Sequence, residues 1–392
     1  MRTLDSLDGL EGERVLVRVD FNVPLEGGRI TDDARIRAAL PTLSELRERG
    51  ARLVLAAHLG RPKGADPALS LRPAADRLGE LLGAEVTLAP AVVGPEVEAL
   101  AEGLGDGGVL MLENVRYEPG ETENDPELAQ AYARLAPVYV NDAFGAAHRA
   151  HASTEGVVHH VQRSAAGRLL EREVTVLRGI LDDPARPLVA VVGGAKVTDK
   201  IGVIDAFLQR ADTVLIGGAM CFPFFAAQGH DIGDSLCEQE GIEPARRALA
   251  QAAQTGVHGE LALPVDLVAA AEFSADAEPQ PLDGVDVPDG LMGLDVGPRT
   301  AERYAEVIAG AGTVFWNGPM GAFELGPFEA GTRRVAEAVA AAAGTTVVGG
   351  GDSAAAMAQF GLDDRVDHLS TGGGASLELI EGRALPGVEA LS

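Results

Sequence analysis

Residues 187–200 read PLVAVVGGAKVTDK, an apolar run followed at once by two glycines and then by two lysines. A short, continuous, valine-rich run of this kind is typical of a strand that is buried on both faces of a sheet. A glycine pair after such a strand permits a tight turn and lets backbone N–H groups approach a ligand closely. The stretch therefore predicts a parallel strand whose carboxyl end lies at a binding site for an anion.

The same alternation of short β-branched runs with longer amphipathic stretches extends along the whole chain. The strand candidates are residues 14–21, 52–57, 109–115, 137–142, 187–192, 213–218, 313–318, 345–350 and 366–371. The clearest helical candidates are residues 35–50, 71–83 and 168–183. Buried strands separated by helices are typical of an α/β fold in which helices cover both faces of a parallel sheet.

The chain length and the helix at 168–183 together indicate two domains. A chain of 392 residues is long enough for two or three domains of ordinary size. Pro184 and Pro187 end the helix, and we place the domain boundary there. We expect two Rossmann-like domains, joined by this interdomain helix, with a cleft that closes about a hinge.

Composition excludes several classes of partner. The formal net charge is −27, which argues against nucleic acid and against an anionic membrane surface, since both require a basic face. No run of about 18 apolar residues indicates a membrane span. The two cysteines, Cys221 and Cys237, do not form a disulfide framework, and the first residues lack an apolar signal segment, so we expect a cytoplasmic protein.

Basic and polar side chains follow the predicted strands of the first half. The arginine side chain binds carboxylate and phosphate oxygens two at a time, so several arginines at one sheet edge favour a small acid as the ligand. The alternative is that each arginine pairs with a neighbouring surface carboxylate. We expect His58 and His148 to be hydrogen-bond donors near the anion. The residues concerned are Arg18, Asp20, Asn22, Arg35, His58, Arg61, Arg116, His148, Arg149 and His151.

Glycines follow the predicted strands of the second half, at 193–194, 217–218, 317–321, 349–351 and 372–374. Five glycine turns at one sheet edge indicate a binding site for a phosphate or a nucleotide. The turns match neither the P-loop pattern nor the dinucleotide fingerprint, so neither an ordinary P-loop enzyme nor a dehydrogenase is indicated.

Two of the chain's three lysines, Lys196 and Lys200, lie four residues apart. If a helix begins directly after the glycine pair, the two lysines share one of its faces near the N-terminus. Like charges at that spacing cost about 0.2–0.5 kcal/mol, so the arrangement favours a bound phosphate. The alternative is that Asp199 or the other domain neutralises them. Glu324 and Asp352 could bind a ribose hydroxyl and Mg²⁺, which makes phosphoryl transfer the natural hypothesis.

Eight segments of the chain carry a family resemblance. They are RVDFNVPL (18–25), HLGRPKG (58–64), LENVRYEPGE (112–121), NDAFGAAHRAH (141–151), GGAKVTDKI (193–201), WNGPMGAFE (316–324), GGGDS (349–353) and STGGGASLELIEG (370–382). In this order they resemble the phosphoglycerate kinase family. The resemblance implies transfer of the acyl phosphate of 1,3-bisphosphoglycerate to ADP, giving 3-phosphoglycerate and ATP, with Mg²⁺ and in a monomer.

The resemblance also implies roles for individual residues. The glycerate acid binds at Asp20, Asn22, Arg35, His58, Arg61, Arg116 and Arg149. Lys196 contacts the transferring phosphoryl group, and Arg35, Gly372 and Gly373 stabilise its charge in the transition state. The nucleotide, with Mg²⁺ on Asp352, binds at Gly194, Lys196, Lys200, Gly217, Gly218, Asn317, Glu324, Gly351, Asp352 and Ser353.

The resemblance further implies the domain limits. The acid-binding domain spans 1–167, the interdomain helix and hinge 168–187, and the nucleotide-binding domain 188–375, while residues 376–392 pack back on the first domain. The chain departs from the family pattern at Ala146, Ala219, Ser353 and the segment CFPFF at 221–225. The alternative function is a cytosolic two-lobed sensor without turnover.

Overall fold

The structure is a computed structural model that describes residues 1–254 and 259–392. These residues form two compact units, which we call unit 1 and unit 2. Unit 1 comprises Met1–Thr175 and Ala384–Ser392, and unit 2 comprises Val176–Arg383. Within the described ranges, no helix combines the length and the apolar composition that crossing a membrane requires.

Unit 1 is built on a parallel sheet in the order β5-β6-β4-β1-β7-β8. The central strands β4, β1 and β7 are almost entirely buried, which agrees with their apolar sequences. The strands are β1 Arg14–Arg18, β2 Leu25–Glu26, β3 Arg29–Ile30, β4 Arg52–Ala56, β5 Val86–Leu88, β6 Val109–Met111, β7 Val138–Asn141 and β8 Arg163–Ala166, with β2 and β3 forming a separate hairpin. The helices are α1 Ala34–Glu48, α2 Arg72–Leu82, α3 Pro95–Glu102, α4 Pro126–Leu135 and α5 Arg168–Asp182.

Unit 2 repeats this architecture with a parallel sheet in the order β11-β10-β9-β15-β16-β17. Its strands are β9 Leu188–Val192, β10 Thr213–Ile216, β11 Glu260–Ala262, β12 Leu267–Ala270, β13 Gln280–Leu282, β14 Met292–Val296, β15 Thr313–Asn317, β16 Thr345–Gly349 and β17 His368–Leu369. Its helices are α6 Ile201–Leu208, α7 Phe222–Gln228, α8 Ile242–Ala252, α9 Pro298–Ala309, α10 Ala330–Ala341, α11 Gly351–Gln359 and α12 Gly374–Ile380. The predicted α/β fold with parallel, helix-covered sheets is confirmed.

A small antiparallel sheet, in the order β13-β12-β14, is an addition that the sequence pattern did not predict. Two of its three strands have only three or four residues, and β13 contains a proline. Such short segments lack the long apolar run that identified the parallel strands.

Helix α5 begins in unit 1, and the division between the units falls inside it, between Thr175 and Val176. Buried Asp142, which follows β7, caps its first turn by accepting hydrogen bonds from the N–H groups of Leu169 (2.9 Å) and Leu170 (3.2 Å). The sequence places the connecting helix and hinge at 168–187, and these limits stay predictions.

The C-terminal residues Ala384–Ser392, with helix α13 at Pro386–Glu389, belong to unit 1. The N–H of Gly387 donates to the carbonyl of Ala147 (2.9 Å), and the N–H of Arg2 donates to that of Leu391 (2.8 Å). Helix α12 belongs to unit 2, so the returning segment of the structure is shorter than the 376–392 expected from the sequence.

Candidate active site

A cavity of about 850 Å³ lies in unit 1, among the loops that follow β1, β4, β6 and β7. The carboxyl ends of parallel strands meet at one edge of the sheet, which is why these separate loops enclose one space. Five of the predicted acid-binding residues line it, namely Asn22, His58, Arg61, Arg116 and Arg149. Ala146, one of the departures from the family pattern, also lines it.

Three arginines of this cavity have no carboxylate partner. Across the described parts of the chain, Arg61, Arg116 and Arg149 form no ion pair with a carboxylate. Arg116 instead donates to the carbonyl of Gly60 (2.5 Å), and Arg149 donates to Nε2 of His148 (3.1 Å). The alternative of surface ion pairs is therefore wrong for these three. Burial and the charges of Arg18 and Arg61 lower the pKa of Arg116, so an anion in the cavity would relieve this repulsion.

Asp20 and Arg35 lie outside the cavity lining and form an ion pair with each other. Burial tends to raise the pKa of Asp20, but the positive charges around it, Arg35 first among them, hold that pKa below its usual value. Asn22 donates its N–H to Asp20 (3.3 Å), and its side-chain oxygen accepts from the N–H of Gly60 (2.8 Å). These residues brace the cavity wall.

Two histidines of this cavity, His58 and His151, are held neutral. Burial, with the charge of Arg18 next, lowers the pKa of His58 to about 3. Burial and nearby arginines likewise lower the pKa of His151 to about 4. His148 also lines the cavity and accepts a hydrogen bond at Nε2 from Arg149, so its expected role as a donor to an anion stays a prediction.

Two cations of unit 1 differ from what the sequence predicts. Lys63 lines the cavity and is exposed. It is the third of the chain's three lysines, so the same scarcity that singled out Lys196 and Lys200 could have identified it. Arg18 belongs to the basic group expected at this sheet edge, but its side chain is buried at 1% exposure and lies outside the cavity lining, which nothing in the sequence indicates.

A second cavity, of about 770 Å³, lies in unit 2 and is mostly apolar. Four of the predicted nucleotide-binding residues line it: Gly194, Gly218, Glu324 and Asp352. Its apolar wall includes Phe222, Leu236, Phe273, Met292 and Met320. An apolar slot with a few polar groups at its rim suits an aromatic base that carries a charged tail. The departures Ala219, Cys221 and Phe222 are part of this wall, so they shape the slot directly.

Gly218 shows why glycine is required at this edge. Its φ of +69° is combined with a ψ of −173°, a conformation that is essentially restricted to glycine. A Cβ atom there would lie 2.5 Å from the carbonyl oxygen of Gly194 and 2.6 Å from its nitrogen. The turns after β9 and β10 therefore pack backbone against backbone beside the cavity.

The two lysines after β9 occupy different environments. Residues 193–200 are not helical, because α6 begins at Ile201, so the expectation that Lys196 and Lys200 share a helix face is wrong. Lys196 is exposed in the loop, and its side chain has no hydrogen bond or ion pair with any residue that the structure describes.

Lys200 points back under the loop. Its ammonium group donates to the carbonyl oxygens of Gly193 (2.6 Å) and Asn317 (3.3 Å), at the ends of the neighbouring strands β9 and β15. Burial lowers the pKa of Lys200 to about 8, against the opposite effect of Asp352 and Asp199. Lys200 therefore ties two glycine turns together.

Several predicted nucleotide-binding residues support the cavity without lining it. The side chain of buried Asn317 donates to the carbonyl of Gly349 (2.8 Å), and the buried hydroxyl of Ser353 accepts from the N–H of Gly318 (2.5 Å). Gly217 is buried at the end of β10, and Gly351 is the first residue of α11. Gly372 and Gly373 precede α12, a helix of seven residues.

The donor atoms around Asp352 fit a metal ion that arrives with a nucleotide. In the ranges 1–254 and 259–392, no group of three or more His, Cys, Asp or Glu side chains is placed to hold a metal ion. Mg²⁺ is commonly bound by one or two carboxylates, several waters and the phosphates of a substrate. Asp352 is exposed in the first turn of α11 and lines the cavity, so it would supply one carboxylate to such an arrangement.

Comparisons with known proteins agree over the full chain. A sequence profile of the phosphoglycerate kinase family matches residues 4–383. The phosphoglycerate kinase of Moorella thermoacetica is 56% identical over 391 residues, covering 100% of this chain and 98% of the relative. That of Roseiflexus castenholzii is 54% identical over 394 residues, covering 100% and 99%.

Solved structures give the same result. The phosphoglycerate kinase from Coxiella burnetii superimposes with a TM-score of 0.89 at 41% identity, covering 99% of this chain and 98% of that chain. The enzyme from Pyrococcus horikoshii superimposes with a TM-score of 0.87 at 32% identity, covering 100% and 98%. This chain therefore belongs to the phosphoglycerate kinase family.

Proposed function

We propose that the cavity of unit 1 binds 3-phosphoglycerate or 1,3-bisphosphoglycerate and that the cavity of unit 2 binds ADP or ATP with Mg²⁺. The chain is a phosphotransferase with a carboxyl group as acceptor, and its reaction is the reversible transfer of the acyl phosphate of 1,3-bisphosphoglycerate to ADP. The comparisons favour this enzyme over the two-lobed sensor.

One observation carries the assignment of the acid to unit 1. Arg61, Arg116 and Arg149 line a single cavity and form no ion pair with a carboxylate among the residues that the structure describes, in a chain whose formal charge is −27. The chain has 59 acidic residues, yet none that the structure describes forms an ion pair with these three arginines. Their guanidinium groups match an acid with a carboxylate and a phosphate, because each guanidinium can donate two parallel hydrogen bonds. His58 adds a neutral donor, while Asn22, Asp20 and Arg35 complete the proposed acid site.

The apolar wall of the unit 2 cavity would hold the adenine, and Glu324 at its rim would bind the ribose hydroxyls. Gly194 and Gly218 bring backbone groups close to the phosphates, supported from beneath by Gly217, Asn317, Lys200 and Ser353. Gly351 and Asp352 at the start of α11 would face the nucleotide phosphates. Mg²⁺ bound there would neutralise phosphate charge and orient the nucleotide.

Phosphoryl transfer requires positioning and charge stabilisation, and no protein nucleophile. Lys196 is the best candidate to contact the transferring phosphoryl group, because its ammonium group is exposed and has no partner among the described residues. Arg35 would stabilise charge with its Nε and Nη2 groups while Nη1 stays on Asp20. Gly372 and Gly373 would offer N–H groups at the start of α12. The monomeric state and the cytoplasmic location stay proposals.

The test is ATP consumption with 3-phosphoglycerate and Mg²⁺, in the wild type, Lys196→Ala and Lys196→Arg. We expect turnover in the wild type and a large fall of kcat in Lys196→Ala, with 3-phosphoglycerate binding unchanged by calorimetry. Lys196→Arg restores the charge but not the compact shape of an ammonium group, so we expect only partial recovery. A folded wild type that binds both ligands without turnover would contradict the assignment and leave the sensor.

A further inference from the structure

Arg18 is a charged side chain buried under the cavity of unit 1. It is the last residue of β1, and only 1% of it is exposed. Its guanidinium makes three contacts: Nη1 donates to the carbonyl of Val19 (2.5 Å), Nε donates to the hydroxyl of Ser153 (2.8 Å), and Nη2 lies 3.1 Å from Nδ1 of His58. Burying a charge is costly, so such an arrangement requires a compensating partner.

Glu121 is that partner, and Ser153 connects the two. The hydroxyl of Ser153 donates to Oε1 of Glu121 (2.6 Å), while the N–H of Ser153 donates to Oε2 (3.1 Å). The hydroxyl of Tyr132 also donates to Oε2 (3.3 Å). Burial raises the pKa of Glu121, and the charge of Arg18 opposes that rise. A series of hydrogen bonds therefore leads from Glu121 in the core through Ser153 and Arg18 to His58 at the cavity.

The last hydrogen bond of this series, between Arg18 and His58, determines which ring nitrogen of His58 carries the proton. A guanidinium group has donors and no acceptor, so Nδ1 of His58 must accept the hydrogen bond from Nη2. A neutral ring that accepts at Nδ1 carries its proton at Nε2. Among the described residues Nε2 has no hydrogen-bond partner, and His58 lines the cavity.

The other charged groups around His58 do not reverse this result. Asp20 favours the protonated ring, whereas burial, Arg18, Arg116 and Arg35 all disfavour it. A second proton would have to go to Nδ1, where it would break the bond from Arg18. His58 is therefore a neutral donor across the physiological pH range.

We propose that Arg18 is a positioning residue, which holds His58 as the neutral Nε2–H tautomer so that it donates one hydrogen bond to an oxygen of the bound glycerate acid. The inference rests on the proposed function of the unit 1 cavity. As a result, the positive charge of that cavity comes from its arginines and Lys63 and does not vary with the titration of His58.

The direct test is ¹⁵N NMR of protein labelled at histidine, with His58 assigned by its absence from the His58→Gln spectrum. We expect a protonated Nε2 and an unprotonated Nδ1 between pH 6 and 8, and a shift of Nε2 when 3-phosphoglycerate is added. A protonated Nδ1 in a protein whose His58 signal still responds to 3-phosphoglycerate overturns the inference and leaves the proposed function intact. A protonated Nε2 that does not respond to 3-phosphoglycerate overturns the proposed function and the donated bond with it.

The kinetic test uses the double variant Arg18→Met, Glu121→Gln, which removes both buried charges so that neither is left without compensation. Without Arg18, Nδ1 of His58 no longer has to accept a hydrogen bond, so the ring, which burial keeps neutral, can carry its proton at Nδ1 instead. The ring then presents a donor to the cavity only part of the time, so we expect the KM for 3-phosphoglycerate to rise about fivefold and a protonated Nδ1 to appear in the ¹⁵N spectrum.

A matched control is Arg52→Met. Arg52 is the first residue of β4, whereas the cavity lies beyond the last residue of that strand. Arg52 also donates to backbone carbonyls, those of Leu104 and Gly12, and it lies away from the cavity. We expect neither the KM for 3-phosphoglycerate nor the tautomer of His58 to change in this control. A double variant whose His58 stays protonated only at Nε2 would overturn the inference, because a merely structural role of Arg18 would change stability without changing the tautomer.

Discussion

Lys200→Met is expected to stabilise unit 2 at neutral pH while weakening nucleotide binding. Burial lowers the pKa of Lys200 from 10.5 to about 8. At 1.36 kcal/mol per pKa unit, the folded state therefore disfavours the charged ammonium by about 3 kcal/mol at pH 7. Methionine loses the two hydrogen bonds to the carbonyls of Gly193 and Asn317, worth about 1–2 kcal/mol together. The net expectation is a gain of about 1–2 kcal/mol.

The pH dependence has a definite sign. Below pH 8 both the folded and the unfolded chain carry the proton on Lys200, so the folded state bears the full cost. Between pH 8 and 10.5 the folded chain releases the proton and the unfolded chain retains it. The stability of the wild type relative to Lys200→Met should therefore rise by about 1.4 kcal/mol per pH unit in this window.

Urea unfolding followed by tryptophan fluorescence measures this effect. The chain has one tryptophan, Trp316, which is fully buried on β15 next to Asn317, so the signal reports on unit 2. The matched control is Lys196→Met, which removes an exposed lysine from the same loop and should change the stability by less than about 0.5 kcal/mol. A loss of stability in Lys200→Met at pH 7, or a constant difference between pH 8 and 10, would refute the reasoning.

Three further outcomes are expected. Gly218→Ala should lower the free energy of unfolding in urea by about 1–3 kcal/mol more than Gly94→Ala, because Gly94 has a similarly glycine-specific backbone but open space around its Cβ position. Gly218→Ala should also weaken ADP binding, measured by calorimetry. Equal costs of the two substitutions would contradict the close approach of the loops. Arg61→Met should weaken 3-phosphoglycerate binding about tenfold and leave ADP binding unchanged, and an unchanged acid affinity would remove Arg61 from the site. Leu391→Ala should lower the free energy of unfolding by about 2–5 kcal/mol, since Leu391 is fully buried in unit 1. Denaturation followed by far-UV circular dichroism measures this change. A loss below about 0.5 kcal/mol would show that this segment does not contribute to the core.

The parallel sheets and the edge that carries the site could be predicted because both depend on local sequence. An apolar run such as 187–192 identifies a buried strand, and the residue types after it identify what lies at its carboxyl end. Arg61, Arg116 and Arg149 were found in this way, although they are distant in the sequence.

The environments of the individual side chains could not be predicted in the same way. Lys196 and Lys200 look equivalent in the sequence, yet one is exposed and the other is bonded to carbonyls from two strands. The difference depends on Asn317, which is distant in sequence and adjacent only because β15 pairs with β9. The partner of Arg18 was hidden for the same reason, since Glu121 and Ser153 come from separate loops.

The return of residues 384–392 to unit 1 has a consequence for how the chain is made. The ribosome synthesises residues 1–175 first and then all of Val176–Arg383, before it reaches the segment that completes unit 1. Unit 2 is thus translated in one uninterrupted stretch and can close its core early, as domains generally do during synthesis. The core of unit 1 stays incomplete until the buried residues Leu385, Val388 and Leu391 have been synthesised. We therefore expect unit 1, whose synthesis starts first, to complete its core last.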